Sequence, residues 1–538
     1  MAFIEQATAE RIGLNWVLRQ LCPISPYGKL QKSKINAAGP GCEDWLTKEW
    51  ALQAALLAEW QEDLMKGVEL RLGSFREIRG AVKKACQGYV LEDIDFFEIK
   101  RFLDLSQLLA EQLQRFNSLP SRLTIPVAAD LLTALAPGGG GEGFYLADSF
   151  APALAALRQE QRERKAELSR RRQELQAKVA QETGKTFNPL GRLRVHKLDP
   201  VCKELENRPD IIAAAEGYAE VEYSIRDDDR MLALGVAISS LEEQIQAVEY
   251  SVRKNLSAEV AKHCRFLLAA CRRIGRIDLL LAKGRLARQT GWCVPQLESQ
   301  PKLVLEEFSN PVVSNYLAQE GLCFQPVSLC LGTPVTVITG ANMGGKSVAL
   351  RSAGLAIAMA QMGLLVPARA CRFSLRTFVY YSQQEENPGQ GLSTFGTEIH
   401  GLAGVLPRRE KKGLYLLDEP ARGTNPWEGA ALVKALASWL QEGNSITIMA
   451  THFPGLADIE GITHLQVAGL AGLRTGAKEI ASRDLKSLQK LMDYSLVPGK
   501  GEIPRDALRV AAFLGLAPEI LAKAAQELGI APQEVLDQ

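Results

Sequence analysis

The sequence predicts a mixed fold, in which an α-helical region with two long antiparallel arms precedes an α/β domain and a short helical segment. A glycine-rich loop at 340–347 lies between an apolar, β-branched run and a helical run. Residues 151–179 are rich in Arg, Glu, Gln and Ala and contain no proline after Pro152, which indicates one long helix. Further on, apolar residues alternate spacings of four and three, as in a heptad seam: Leu234, Ile238, Leu241, Ile245, Val248 and Val252.

The composition is that of an ordinary globular protein. The chain has 538 residues, of which 46% are hydrophobic and 23% are charged, and its formal net charge is +1. Bulk charge therefore excludes a general polyanion binder, and any nucleic-acid contact needs a local basic patch. The sequence shows no signal peptide and no apolar run of membrane-spanning length, so we expect a cytoplasmic protein without membrane contact. The ten cysteines lack metal-binding spacing, and we expect reduced thiols.

The glycine-rich loop matches the phosphate-binding pattern G-x-x-x-x-G-K-[ST]. Its residues are Gly340, Ala341, Asn342, Met343, Gly344, Gly345, Lys346 and Ser347. Glycine lets backbone N–H groups converge on phosphate oxygens, and the following helix adds the positive end of its dipole. We predict that Lys346 contacts the terminal phosphates and that Ser347 binds Mg²⁺. The alternative is a structural glycine turn, but the strand and helix that flank the loop favour a nucleotide site.

Two later apolar runs end in residues that could bind a metal ion or take part in catalysis. Residues 414–417 lead into Asp418 and Glu419, and residues 446–450 lead into Thr451 and His452. Ligands of open α/β sheets bind at the carboxyl ends of strands. We predict that Asp418 holds the Mg²⁺ shell, that Glu419 orients the attacking water, and that His452 senses the γ-phosphate. Acids capping a strand end, and a histidine in a turn, are the structural alternatives.

Taken in order, these motifs resemble the ATPase domain of the MutS family. The matching segments are the loop at 340–347, Ser393-Thr394-Phe395 with Glu398, Asp418-Glu419 with Arg422-Gly423-Thr424, and Ala450-Thr451-His452. The segment NPWEGAAL at 425–432 is similar to the second MutS branch, whose members lack mismatch reading and often end in a Smr nuclease domain. The chain departs from the family pattern at Ala341 and at Pro420-Ala421, and neither change removes a catalytic group.

The resemblance implies a P-loop (ABC-type) ATPase that uses ATP and Mg²⁺. In that family the nucleotide site lies between two subunits, so a homodimer is expected. Ser393 and Thr394 match the segment that reaches the partner's γ-phosphate, and the segment from Asp418 to Thr424 leads into the dimer interface. Lys346, Glu419 and His452 are the expected catalytic residues, and Ser347 and Asp418 are the expected Mg²⁺ ligands.

The resemblance extends upstream and implies the domain order. We expect an N-terminal helical core at 1–145 and lever arms at 146–262, with a reduced clamp tip at about 184–230. Return helices of the core follow at 263–300, the ATPase domain at 301–490 and a C-terminal helical dimerisation segment at 491–538. Each arm of about 30 residues would reach roughly 45 Å. We expect no Smr nuclease domain.

Two functions remain open. The first is a dimeric ATPase whose arms grip branched or damaged DNA. Direct mismatch reading is not expected, because Gly143-Phe144-Tyr145 is followed by Leu146 where the mismatch motif needs a glutamate, and we expect Phe144 and Tyr145 to be core residues. The second is a protein-remodelling ATPase, similar to the subunit that reactivates cobalamin-dependent amino-acid aminomutases. A transporter-type ATPase shares the motifs, but the long helical arms and the lack of a membrane segment argue against it.

Basic residues on the first arm and the tip are the candidates for DNA contact. They are Arg158, Arg162, Arg164, Lys165, Arg170, Arg171, Arg172, Arg192, Arg194, His196 and Lys197. Phosphate binding needs such residues clustered on one face. Interspersed acids on the arm favour an ordinary solvated helix face instead, and Asp227, Asp228 and Asp229 near the tip would repel phosphate.

Overall fold

The structure is a computed structural model of the chain. It describes residues 3–136, 144–340, 345–382, 394–453, 455–456, 459–470, 488–489, 491–499 and 506–529, with Thr394 and Asp506 described as backbone only. Helices and sheets both occur in these ranges, so the fold is mixed α/β. The chain divides into two compact units. Unit 1 comprises Met1–Gly73, Gln112–Thr124 and Ile274–Gln538, and unit 2 comprises Ser74–Glu111 and Ile125–Arg273.

The helices are numbered in chain order. They are α1 Gln6–Arg11, α2 Leu14–Gln20, α3 Pro26–Lys32, α4 Glu43–Ala58, α5 Glu62–Ser74, α6 Arg79–Cys86, α7 Asp93–Leu113, α8 Ala129–Leu135, α9 Pro152–Thr183, α10 Pro200–Glu206, α11 Asp229–Lys262, α12 Cys264–Thr290, α13 Pro311–Gln319, α14 Lys346–Gln361, α15 Thr394–Val405, α16 Pro426–Gln441, α17 Asp506–Phe513 and α18 Pro518–Glu527. Among the described residues, no helix has the length and apolar content needed to cross a membrane.

The strands of the described residues form three sheets. They are β1 Leu193–His196, β2 Ile211–Glu216, β3 Glu220–Ile225, β4 Gln296–Leu297, β5 Leu303–Phe308, β6 Val327–Leu331, β7 Val335–Thr339, β8 Ala370–Phe373, β9 Phe378–Ser382, β10 Gly413–Asp418, β11 Ile446–Ala450, β12 Thr463–Gly469 and β13 Asp493–Pro498. Unit 1 holds a six-stranded sheet in the order β13-β12-β7-β11-β10-β9 and a four-stranded sheet in the order β4-β8-β5-β6. Unit 2 holds a three-stranded sheet in the order β1-β3-β2.

The six-stranded sheet is the centre of unit 1. Its strands β9, β10, β11, β7 and β12 are parallel, and β13 is antiparallel to β12. Every residue of β7, β10 and β11 is buried, as expected for a parallel sheet covered on both faces. Alternate residues of β10 join two different apolar clusters: Leu414 and Leu416 join one, and Tyr415 and Leu417 join the other. The continuous apolar runs therefore hold these strands between two cores.

The two longest helices of unit 2, α9 and α11, pack against each other. Ion pairs join Arg158 to Glu249 at 2.8 Å, Lys165 to Glu242 at 3.1 Å and Arg171 to Asp228 at 2.9 Å. Residue numbers rise along α9 as they fall along α11, so the two helices run antiparallel. The apolar seam of α11 is buried at Leu234, Ile238, Leu241 and Ile245.

The segment between these helices, residues 184–228, folds into β1, β2, β3 and α10 and is called the tip. It has a small apolar core of its own, to which Val179 at the end of α9 contributes. Sequence analysis predicted a tip here but no sheet. Strand β2 lies at the sheet edge, and only Ile211 of its six residues is buried.

Two expectations from the sequence need correction in unit 2. Tyr145 is 72% exposed and is not a core residue, whereas Phe144 packs between Phe96 and Phe150. Cys86 and Cys264 form a disulfide, with Cα atoms 6.6 Å apart, so the expectation of reduced thiols is wrong for this pair. The two cysteines are 178 positions apart, and no sequence spacing connects them.

Candidate nucleotide-binding site

The carboxyl ends of three neighbouring strands meet at one edge of the six-stranded sheet. In the register of β10, β11 and β7, Asp418 lies beside Ala450, and Ala450 lies beside Ile338. Beyond the strand ends, the Glu419 N–H donates to the Ala450 carbonyl at 2.9 Å, and the Thr451 N–H donates to the Ile338 carbonyl at 3.1 Å. Gly340, which begins the glycine-rich loop, and both acids thus lie at one edge, where ligands of parallel sheets bind.

The two described glycines of the loop are required by the backbone. Gly340 has φ 144° and Gly345 has φ 81°, values that residues with a side chain rarely adopt. A Cβ atom on Gly340 would lie 3.0 Å from Val467 Cβ, and one on Gly345 would lie 2.9 Å from the Tyr494 ring. Gly345 immediately precedes α14, so the end of the loop lies at the N-terminus of this helix. Backbone N–H groups and the helix dipole favour anions at that position.

Lys346 is a buried cation at the start of α14. Its side chain is 5% exposed, and its ammonium donates to the Gly340 carbonyl at 2.8 Å. Its ion pair with Glu419 is long, at 3.9 Å. Burial lowers the pKa of Lys346, and the carboxylates of Glu419 and Asp418 oppose that shift. Burial makes the charged form of Lys346 unfavourable. A phosphate group beside the ammonium would offset this cost, because its negative charge stabilises the charged form.

Ser347 and Tyr381 hold the two oxygens of Asp418. The Ser347 hydroxyl donates to Asp418 Oδ1 at 3.0 Å, and the Tyr381 hydroxyl donates to Oδ2 at 2.7 Å. Burial and the charge of Asp418 raise the pKa of Tyr381, so its hydroxyl keeps its proton and remains a donor. Sequence analysis identified Ser347 and Asp418 and missed Tyr381. The available signal was a hydroxyl near the carboxyl end of an apolar strand, at residues 378–382.

Glu419 lies in a strained turn. Its φ is 50°, and that of Ala421 is 61°, a left-handed conformation that is uncommon outside glycine. The Glu419 carboxylate forms an ion pair with Arg422 at 2.8 Å, and the Ala421 N–H donates to the Glu398 carboxylate at 3.3 Å. The first contact restrains the Glu419 carboxylate, and the second holds the backbone of the turn that follows Glu419. Sequence analysis named Glu398 and Arg422 as family motif residues but did not predict their contacts.

The side chains at this edge fit a nucleotide with Mg²⁺. A serine hydroxyl 3.0 Å from a carboxylate oxygen is a hard-oxygen pair of the kind that Mg²⁺ prefers. Among the described residues, no group of three or more His, Cys, Asp and Glu side chains could hold a metal ion. Magnesium usually takes one or two protein ligands and completes its shell with phosphate and water, so Ser347 and Asp418 are sufficient for this ion.

Comparison with known proteins agrees with these motifs. Residues 336–529 match the family model of MutS domain V. Endonuclease MutS2 of Pelotomaculum thermopropionicum is 26% identical over 97% of this chain, and Endonuclease MutS2 of Thermomicrobium roseum is 28% identical over 86%. DNA mismatch repair protein MutS of Desulfovibrio desulfuricans is 30% identical over 49% of the chain.

The chain belongs to the MutS family. It spans 64% and 58% of the lengths of the two MutS2 relatives and 29% of that of the MutS protein. The MutS domain V match begins within β7 and includes Lys346, Ser347, Asp418 and Glu419.

Several residues that sequence analysis assigned to the site are not brought into it by described contacts. Ala341, Asn342, Met343, Gly344 and Ser393 lie outside the described residues, and Thr394 is described only as the first residue of α15. His452 follows β11 at the same sheet edge as Glu419, but its side chain is exposed and its ring lies 4.7 Å from the Phe453 ring. The roles of these residues in the MutS-family site remain predictions.

Proposed function

We propose that this MutS-family chain is a Mg²⁺-dependent ATP hydrolase. The observation that supports the proposal is the convergence of Lys346, Ser347, Asp418 and Glu419 at the carboxyl edge of three parallel strands. One buried cation, one oxygen pair for a divalent ion and one carboxylate held at the edge are the groups that phosphoryl transfer to water needs.

Each residue has a separate task in the proposed reaction. Lys346 neutralises the terminal phosphates of ATP, and Ser347 and Asp418 hold the Mg²⁺ ion. When bound, Mg²⁺ neutralises the charge that develops on the phosphate oxygens. Glu419 accepts a hydrogen bond from the attacking water and orients it, and Arg422 keeps the Glu419 carboxylate in place. His452 is proposed to sense the γ-phosphate, and Ser393 and Thr394 to contact the nucleotide of a partner subunit.

Two substitutions separate nucleotide binding from turnover. Lys346→Ala is expected to lose nucleotide binding, because the buried cation is removed. Glu419→Gln is expected to bind ATP normally while its turnover falls by about 10²- to 10³-fold, because the amide is a poor proton acceptor. ATPase rates and fluorescent-nucleotide affinities measure the two effects. Lys434→Ala and Glu460→Gln, at exposed positions, are the matched controls. A full ATPase rate in Glu419→Gln would contradict the assignment.

We propose that turnover drives a movement of the arms, α9 and α11, which grip a macromolecule at the tip. Membership of the MutS family and the word DNA in the name of the MutS relative make branched or damaged duplex DNA the first candidate. We also propose that the chain forms a homodimer and that ATP binds between its two subunits.

A specific observation favours a second candidate, a protein client such as a cobalamin-dependent aminomutase. Most basic residues that could contact DNA near the tip are already in ion pairs with acids. These pairs are Arg171–Asp228, Arg172–Asp227, Lys185–Asp199, Arg194–Glu222 and Lys197–Glu216. An ion-paired guanidinium or ammonium gains less from a phosphate, because its acid partner must be displaced or repels the phosphate.

The ATPase rate across a salt series, with and without branched DNA, separates the two candidates. Stimulation by DNA that fades steeply as salt rises would show phosphate contacts and support the DNA candidate. A flat response in a chain that still hydrolyses ATP would support a protein client. The same series with Arg171→Gln and Arg172→Gln tests whether these residues contact phosphate.

A further inference from the structure

Tyr381 lies in β9, the strand that borders β10 at the edge of the six-stranded sheet. In the parallel register of the two strands, Tyr381 lies beside Leu416, two residues before Asp418. Its side chain is 2% exposed and extends along the sheet to the carboxylate of Asp418. A buried tyrosine hydroxyl normally has hydrogen-bond partners. One of the partners of Tyr381 is Asp418, a predicted Mg²⁺ ligand, and Arg351 is another.

Each oxygen of the Asp418 carboxylate accepts a hydrogen bond from a different donor. Oδ1 accepts from Ser347 at 3.0 Å, and Oδ2 accepts from Tyr381 at 2.7 Å. The second contact is short, as expected for a donor to a charged acceptor. Because Tyr381 lies in strand β9 and Ser347 lies in helix α14, the two donors restrain the two carboxylate oxygens from different elements of the fold. Rotation of Asp418 about its side-chain bonds would break one of them.

We propose that Tyr381 is a positioning residue that holds Asp418 in the orientation required for Mg²⁺ binding. The proposal rests on the proposed function, since it assigns Tyr381 to the metal site of that reaction. Hydrogen-bond partners of metal ligands fix ligand orientation, and their loss commonly weakens metal affinity by about 10- to 100-fold. Sequence motifs do not mark Tyr381, because its role depends on β9 lying next to β10.

Tyr381→Phe tests the proposal, because it removes one hydroxyl and keeps the ring in the core. The affinity for a fluorescent ADP analogue is measured in EDTA and across a Mg²⁺ titration. We expect unchanged affinity in EDTA and a half-saturating Mg²⁺ concentration that rises roughly tenfold. This readout needs no catalysis, and a loss of fold would instead weaken binding in EDTA as well.

Tyr415→Phe is the matched control. Tyr415 is fully buried in β10, and its hydroxyl donates at 3.0 Å to the Val405 carbonyl rather than to Asp418. We expect this variant to keep the wild-type Mg²⁺ dependence. A double-mutant cycle with Asp418→Asn adds a second measurement, in which Tyr381→Phe should cause little further loss once the carboxylate is gone.

The outcomes separate the inference from the function on which it rests. An unchanged Mg²⁺ dependence in Tyr381→Phe, in a chain whose nucleotide binding responds to Mg²⁺, would overturn the role of Tyr381 alone. Equal losses in Tyr381→Phe and Tyr415→Phe would overturn it too, since they would indicate a general effect on packing. A wild-type chain whose nucleotide binding ignores Mg²⁺ would instead overturn the proposed function.

Discussion

Glu49 of α4 and Lys283 of α12 form an ion pair in the interior of unit 1. Both side chains are 2% exposed, and the ammonium of Lys283 lies 2.8 Å from Glu49 Oε1. Lys283 also donates to the Gly363 carbonyl at 2.9 Å, and Arg276 contacts the other carboxylate oxygen. This pair lies beside the turn that follows α14, so it supports the helix whose N-terminus carries Lys346.

Removing one member of this pair should be far more harmful than removing both. Glu49→Ala is expected to destabilise unit 1 by about 3–5 kcal/mol, because it leaves the Lys283 charge buried without its carboxylate. The double variant Glu49→Leu with Lys283→Met should recover most of that loss, because both charges are gone. Urea unfolding of the three proteins measures the difference. Equal stability of Glu49→Ala and the wild type would contradict the prediction.

The loss in Glu49→Ala should also depend on pH. Burial lowers the pKa of Lys283, and the Glu49 charge opposes this shift in the wild type. Without Glu49, the unfolded chain binds the lysine proton more readily than the folded chain does, so stability rises with pH. The window lies between the lowered folded pKa and the ordinary lysine value of 10.5. The destabilisation should therefore be smaller at pH about 9.5 than at pH about 7.

At the scale of elements, the sequence predicted the strands that carry the site well. Runs at 335–338, 414–417 and 446–450 became β7, β10 and β11, because strands buried on both faces consist of continuous apolar residues. The helix expected after the loop became α14, Lys346–Gln361. Long helices also occur at 152–183 and 229–262, and their action as moving arms remains a prediction.

Elements without a periodic apolar pattern were not predictable. Strand β2 consists of two isoleucines, three alanines and a glutamate, and its residues from Ile212 to Glu216 are exposed, so the alternation typical of a strand is missing. The contact of Tyr381 with Asp418 depends on which strands become neighbours, and strand order is a tertiary property. The left-handed backbone conformation of Glu419 could not be predicted either, because glutamate rarely adopts it.

At the scale of the whole molecule, the family resemblance implies that each nucleotide site is shared by two chains. Lys346 and Glu419 come from one chain, and Ser393 of the partner subunit is predicted to complete the site. A shared site requires a symmetric dimer with two such sites. Residues 336–529, which match MutS domain V, contain both halves of the predicted site.

Mixing two inactive variants tests this shared site directly. Lys346→Ala removes the phosphate contact of a chain's own site, and Ser393→Ala removes the contribution to the partner's site, so each homodimer should be inactive. In an equal mixture that exchanges subunits, half of the dimers carry one variant of each kind, and each of these has one intact site. The mixture should recover about a quarter of the wild-type ATPase rate. No recovery, despite subunit exchange shown by differently labelled chains, would mean that each chain completes its own site.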